Sequence, residues 1–221
     1  MAASRPARPK QRCSSRVISW RRAAERVNIR TWNVWGKKMG VESFAKSTFG
    51  GFFIRVLAAG MESRFRYRFF GPMRIITGAA IQPNQIVLEV GCGTGYFTVP
   101  AAGLIGERGQ LVSLDITTES IKAVSKRVHL ANLTNVRLVR GDAMDSGLDA
   151  ESFDKVLLFG VIPAPMMPLS RLLPEMHRIL KPEGGLAVWP SIPGWLPQSI
   201  VKTGLFTFSG KCNGVHNFSR V

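Results

Sequence analysis

Apolar and polar positions fall into two regimes along this chain. From Ile81 onward, short runs rich in Val, Leu and Ile alternate with stretches whose apolar residues recur every three or four positions. The runs at 86–91, 110–116, 136–141, 153–161 and 184–190 are predicted strands, and 95–104, 117–131 and 168–180 are predicted helices. These strand runs are apolar throughout, not at every second residue. Strands of that kind are covered on both faces, which predicts a mostly parallel sheet with helices on either side and right-handed crossovers between strands. The C-terminal residues break the pattern. Runs at 204–210 and 215–221 flank Lys211-Cys212-Asn213-Gly214, and Asn-Gly between apolar runs predicts an antiparallel hairpin. The expected fold class is therefore α/β, a parallel sheet that ends in an antiparallel hairpin.

Upstream of Ile81 the pattern is different. Phe49, Phe52, Phe53, Ile54, Val56 and Leu57 cluster around Gly50, Gly51 and Arg55, a short apolar helix too short to cross a bilayer. Arg64, Arg66 and Arg68 then alternate with Phe65, Tyr67 and Phe69. Such a segment suits peripheral contact with anionic lipid through residues 44–70, or a lead-in packed on the sheet. The expected division is a basic tail or targeting segment at 1–43, an amphipathic lead-in at 44–71 and the enzyme-sized domain at 72–221.

Charge sharpens that division. Of the formal net charge of +16, most lies in residues 1–80, which hold 17 Lys/Arg against three Asp/Glu; residues 81–221 hold 13 against 11. The first forty residues have the Arg-rich, acid-poor composition of a mitochondrial transit peptide. A basic tail, or sequence ahead of an initiator at Met39 or Met61, accounts for it as well. Nothing in it reads a base or stacks in a pattern, so nucleic acid is not the expected partner. Cys13, Cys92 and Cys212 form no CxxC pair, and no His or Cys spacing suggests a metal site. That usage fits a reducing compartment, so the expected location is cytoplasmic with membrane association, or mitochondrial if residues 1–40 are a transit peptide.

The candidate chemistry begins at Val87-Leu88-Glu89-Val90-Gly91-Cys92-Gly93-Thr94-Gly95-Tyr96-Phe97. An apolar strand runs into an acid, then three glycines at alternate positions, then a helix. Glycines there allow unusual backbone angles and close approach of a ligand, and the helix start offers free N–H groups. The second strand ends in Asp115, twenty residues after Gly95, where a carboxylate can accept hydrogen bonds from ribose hydroxyls. The third ends in Gly141-Asp142-Ala143, which puts another carboxylate where an adenine amino group would sit. A single acid at a strand end is commonly a helix cap; Glu89, Asp115 and Asp142 in register with the glycines are expected to converge on one crevice at the carboxyl ends of the strands.

Glu89-Val90-Gly91-Cys92-Gly93-Thr94-Gly95 resembles the first motif of class I S-adenosylmethionine-dependent methyltransferases. Met176-His177-Arg178-Ile179-Leu180-Lys181-Pro182-Glu183-Gly184-Gly185 resembles the fifth-strand entry of the ubiquinone/menaquinone C-methyltransferase-like branch. The resemblance covers roughly residues 72–221. It implies a Rossmann-like seven-stranded sheet with an antiparallel last strand, and S-adenosyl-L-methionine as cofactor. It further implies that Gly91, Cys92, Gly93 and Gly95 cradle the methionine part, Glu89 organises the loop, Asp115 takes the ribose and Asp142 the adenine. Ile116 and Ala143 would flank the adenine, while Tyr96 packs on the cofactor and Phe159 lines the transferring methyl.

No residue volunteers as a catalytic base. Val161-Ile162-Pro163-Ala164-Pro165-Met166-Met167-Pro168 is an apolar, proline-stiffened loop without the polar segment that amino-group methyltransferases of nucleic acids carry there. His216, in the hairpin, is expected to be exposed, His177 to be structural, and Cys92 to be a small filler. The expected reaction is methyl transfer to a small or lipid-like acceptor of quinone or phospholipid type. The alternatives are an RNA or protein substrate docked through the basic N-terminal region, or a dinucleotide-dependent oxidoreductase. The last fits poorly, because Gly95 comes one residue too early for GxGxxG.

Overall fold

A computed structural model of the protein describes residues 71–192, 194–195 and 198–221. The basic tail at 1–43 and the amphipathic segment at 44–70 lie outside the described residues. The elements run α1 (Pro72–Thr77), β1 (Ile86–Val90), α2 (Thr98–Ile105), β2 (Gln110–Asp115), α3 (Thr118–Leu130), β3 (Val136–Arg140), β4 (Phe153–Phe159), α4 (Leu169–Ile179), β5 (Leu180–Trp189), α5 (Gln198–Val201), β6 (Phe206–Cys212) and β7 (Val215–Arg220). They form one seven-stranded sheet of order β3-β2-β1-β4-β5-β7-β6. All pairs through β5 are parallel, and β7 runs antiparallel to both β5 and β6.

Local sequence explains the helix boundaries. Pro72 opens α1 at a position whose N–H has no intrahelical partner. The Thr117 side chain accepts from Ser120 N–H to cap α3, with Glu119 in its first turn and Arg127 in its last, each sign opposite to the nearby pole of the helix dipole. Helix α4 turns Leu172, Leu173, Met176 and Ile179 inward as one stripe. With Ile200 of α5 and Phe206, these residues bury one face of the sheet against Leu88, Val90, Leu158 and Val188. Ile75 and Ile76 of α1, and Ala101, Ala102 and Ile105 of α2, cover the other face over Val87, Leu111, Leu157 and Ala187. The crossover 141–152 from β3 to β4 has no helix; Ala143 and Leu148 fill the core in its place.

Four boundaries differ from the sequence pattern. Helix α2 starts at Thr98, not 95, because Gly91, Gly93 and Gly95 all adopt positive φ and carry the turn through Tyr96. Strand β4 stops at Phe159 because Gly160 turns the chain with φ +71°. Strand β5 begins at Leu180, directly after α4: Leu180 pairs with Phe153, and the ladder then jumps to Gly185–Lys155 across a bulge. A Lys181–Asp154 ion pair of 2.8 Å pins that entry, and Asp154 also accepts from Ile86 N–H. In the hairpin, Lys211 and Cys212 are paired residues of β6, and only Asn213 (φ +49°) and Gly214 (φ +82°) make the turn, as a two-residue loop with both φ positive requires.

Candidate cofactor and acceptor site

Strand β1 delivers the chain to the middle of the sheet, where the glycine turn is fastened on two sides. Gly91 and Cys92 both donate to Leu114 O, at 2.7 and 3.3 Å, and Gly93 N–H donates to Asp115 Oδ2 at 3.0 Å. A Cβ at Gly91 would stand 2.9 Å from Val161 Cγ2, so the turn also touches the loop after β4. Gly93 contrasts with it. Its φ is +52°, and the nearest atom to a Cβ there would be Gly91 O at 3.9 Å. The turn therefore presents an open cradle. Beside it, Thr94 Oγ1 is buried without a hydrogen-bond partner among the described residues, a costly state that a polar ligand group would relieve.

The three acids do not share one role. Glu89 is 3% exposed and lies beneath the turn, where its Oε2 accepts from Thr98 Oγ1 and Ser113 Oγ, both at 2.7 Å. It ties the start of α2 to β2 and does not face the crevice. Burial pushes its carboxyl up to about 7, against the two hydroxyl bonds and with a smaller push from Asp115. Asp115, half-buried, ends β2; its Oδ1 accepts from Thr117 N–H and Oγ1 while Oδ2 holds Gly93. A carboxylate has about four lone-pair positions, so capacity remains for a ligand. Asp142 follows β3, with Met144 N–H on Oδ1 at 2.9 Å. Gly141 N–H donates to Asp115 O at 3.1 Å, which sets Asp115-Ile116 and Asp142-Ala143 side by side at adjacent strand ends. Of the expected triad, Asp115 and Asp142 share the crevice edge and Glu89 supports it from below.

Beyond β1 the residues next to the turn form an aromatic and apolar cluster. Phe97 packs edge-on against Tyr96, Phe159 and Trp189, with ring centroids 4.9, 5.0 and 5.9 Å apart. The β4–β5 pairing continues past its strand ends: Gly160 donates to Trp189 O, Ser191 N–H to Ile162 O and Ser191 Oγ to Pro163 O, at 2.8 to 2.9 Å. Pro163 is thereby held on a fixed ledge. Cys92 is buried, and burial beside Glu89 and Asp115 pushes its thiol far above the usual range, so it is an inert filler.

His216 corrects the expectation of exposure. It is 5% exposed, paired with Val188 on β7, because β7 lies inside the sheet between β5 and β6. Burial, with the nearby Lys211 charge, lowers its pKa to about 4. Three strands from β1, it does not reach the glycine turn. His177 contacts Val221 O at 3.1 Å and the Phe206 ring, as a structural residue would. The sequence pattern does not single out Ser113, Thr98, Trp189 or Ser191. The signal for Ser113 is its place as the one hydroxyl in an otherwise apolar stretch of β2, but its partner Glu89 lies 24 residues earlier on the neighbouring strand.

A sheet of this order with an antiparallel seventh strand, a glycine turn after β1 and carboxylates after β2 and β3 defines a class I, S-adenosylmethionine-dependent methyltransferase. Residues 81–206 match the methyltransferase domain family, and the chain belongs to it. It is similar to the demethylmenaquinone methyltransferase of Listeria welshimeri, 38% identical over 120 residues that cover 52% of this chain and 50% of that one. It also resembles its namesake from Staphylococcus carnosus, 33% identical over 126 residues, 54% of this chain and 50% of the other. The chain spans about half the length of the curated relatives it matches. Among solved structures, an S-adenosylmethionine-dependent methyltransferase from Aquifex aeolicus superposes with a TM-score of 0.59 at 18% identity, over 76% of this chain and 96% of that one. TrmN from Thermus thermophilus does so with a TM-score of 0.54 at 17% identity, over 68% and 48%. These last two likenesses show the fold. The family's cofactor is S-adenosylmethionine, and the open cradle at Gly93 with the orphaned Thr94 hydroxyl fits a ligand of that kind.

Proposed function

We propose that this protein transfers the methyl group of S-adenosylmethionine to a small, apolar acceptor of quinone type. Gly91, Cys92, Gly93 and Gly95 hold the methionine part, Asp115 the ribose and Asp142 the adenine amino group, with Ile116 and Ala143 against the adenine faces. Glu89 keeps the turn in place from below. Tyr96 and Phe159 flank the methyl. The bound cofactor supplies a methyl group on a sulfonium, a leaving group that needs no proton.

The remaining work falls to position and dryness. The ledge of Ile162, Pro163 and Ser191 and the wall of Phe97, Phe159 and Trp189 orient a planar acceptor and exclude water. The observation that carries the quinone reading is this uncharged aromatic cluster, read with the likeness to demethylmenaquinone methyltransferases over about half of the chain. A hydroquinone acceptor that enters as its anion has already released to solvent the one proton that methylation costs, and the ring C–H proton then returns to the oxygen, so no base from the protein is required, in keeping with His216 lying away from the turn.

Calorimetric titration with S-adenosylhomocysteine, and NAD as control, tests the cofactor half of the proposal. Transfer of labelled methyl to a short-chain demethylmenaquinol, with phospholipid and RNA run alongside, tests the acceptor half. Transfer to the quinol alone is expected. Transfer to RNA or phospholipid with none to the quinol rejects the quinone assignment and leaves the cofactor assignment standing.

A further inference from the structure

Residues 155–221 carry only two acids, Glu175 and Glu183, and none follows Glu183. Within this region the segment 192–211 gathers three of the large apolar side chains exposed among the described residues: Ile192, Val201 and Phe208, at 38%, 42% and 52%. Two exposed cations, Lys202 and Lys211, lie among them. The fold puts Val201, Lys202, Phe208 and Lys211 on one side. Ile200 and Phe206 anchor α5 and β6 in the same buried cluster, leaving Val201 and Lys202 outward. On β6 the bulge between Phe208 and Gly210 lets Phe208 pair with Phe218 and Lys211 with His216, two residues on the same face of β7. One extra residue thus brings an aromatic ring and a lysine to the same face of the sheet edge.

The geometry points to this α5–β6 face as a docking surface for an anionic lipid bilayer, with Phe208 and Val201 entering the interface and Lys202 and Lys211 meeting phosphate headgroups. Scattered exposed apolar residues alone would mean nothing. Here they are interleaved with cations and no acid, the composition of an interfacial surface. Charge also separates the bilayer from a second copy of the chain. A second copy would bring the same lysines to face them. The proposal holds whatever the acceptor is, because its readout is vesicle binding and not turnover.

The test is co-sedimentation of the full chain with phosphatidylglycerol-containing vesicles and with phosphatidylcholine vesicles. Wild type binds the anionic vesicles, and binding falls as salt is raised. Lys202→Glu with Lys211→Glu weakens binding by roughly 25-fold or more, about fivefold for each cation removed from a charged surface. Val201→Asp with Phe208→Asp weakens it by at least as much, while Leu130→Asp, on α3 and 71% exposed, leaves it unchanged. Thermal melts confirm that each variant is folded. Wild-type binding by both double variants overturns the proposal and gives the role to residues 1–70. So does self-association of the wild type that Phe208→Asp abolishes without changing vesicle binding, which makes the face a contact between copies.

Discussion

Residues 81–154 hold nine Asp/Glu against six Lys/Arg, whereas residues 155–221 hold two against seven. The division follows the sheet. Strands β1 to β3 end in a polar edge of glycine amides, hydroxyls and carboxylates; β4 and β5 end in prolines, methionines and aromatic rings. On the proposed function the first half meets the cofactor, whose polar groups its amides and carboxylates would match, and the second half meets the acceptor, where shape and dryness replace charge. Gly91 against Val161 is a direct contact between the two.

Breaking the first half should have the largest effect. Asp115→Ala removes both the anchor of Gly93 and the proposed ribose contact, and hydrogen bonds to a charged group contribute about 1.5–3 kcal/mol. S-adenosylhomocysteine affinity, read by calorimetry, should fall by roughly 10- to 150-fold. An unchanged affinity would remove Asp115 from the site.

The two halves should also respond to pH in opposite senses. Glu89 has a carboxyl raised to about 7, so its contribution to stability is full below the ordinary carboxyl range and is lost as pH rises through 7. His216 has its pKa lowered to about 4; its contribution is full above the ordinary imidazole value and is lost as pH falls through 4. Between about pH 4.5 and 6.5 the two oppose each other. Glu89→Gln should leave stability that falls on acidification, and His216→Leu stability that rises, each by about 2–3 kcal/mol across its window. Chemical denaturation at a series of pH values reads both slopes, and parallel slopes for the two variants would refute the burial argument.

Gly91→Ala probes the seam. Positive φ costs a residue with a Cβ about 1–2 kcal/mol, and the collision with Val161 adds to it. Adding Val161→Ala should recover the collision and not the backbone cost, so the melting temperature of the pair should lie between those of Gly91→Ala and wild type. The smallest effect belongs to Trp189→Phe. It should raise KM for the acceptor several-fold, on the order of 1 kcal/mol of lost contact, and leave S-adenosylhomocysteine affinity alone. A change in cofactor affinity instead would assign Trp189 to the other half.

The same contrast governs what the sequence could reveal. The glycine turn, Asp115 and Asp142 are legible because local backbone geometry and strand ends dictate them. The inner parallel strands β1, β4 and β5 are legible because burial on both faces leaves apolar runs in them, whereas the edge strand β3 carries exposed Arg137 and Arg140. His216 misleads because a histidine in a hairpin is exposed unless the hairpin is inserted, and the order β5-β7-β6 is a long-range fact. The early start of β5 depends on an ion pair between Lys181 and Asp154, 27 residues apart. Glu89 is legible as a motif residue, but its place under the turn depends on hydroxyls from α2 and β2. On the proposed acceptor side no ionic or polar motif marks a wall, so Phe97 and Trp189 read as ordinary core.

The helix-free crossover 141–152 is the one covalent passage between these halves after β1 to β3 are complete. Noncovalently they meet along β1 and β4, where Val87–Val90 pair with Lys155–Leu158. A recombination joint placed in the exposed Asp149-Ala150-Glu151 stretch therefore leaves the adenine end, the glycine turn and every strand intact. Chimeras built there would keep one parent's cofactor chemistry and inherit the other's choice of acceptor, provided Val161 still fits over Gly91.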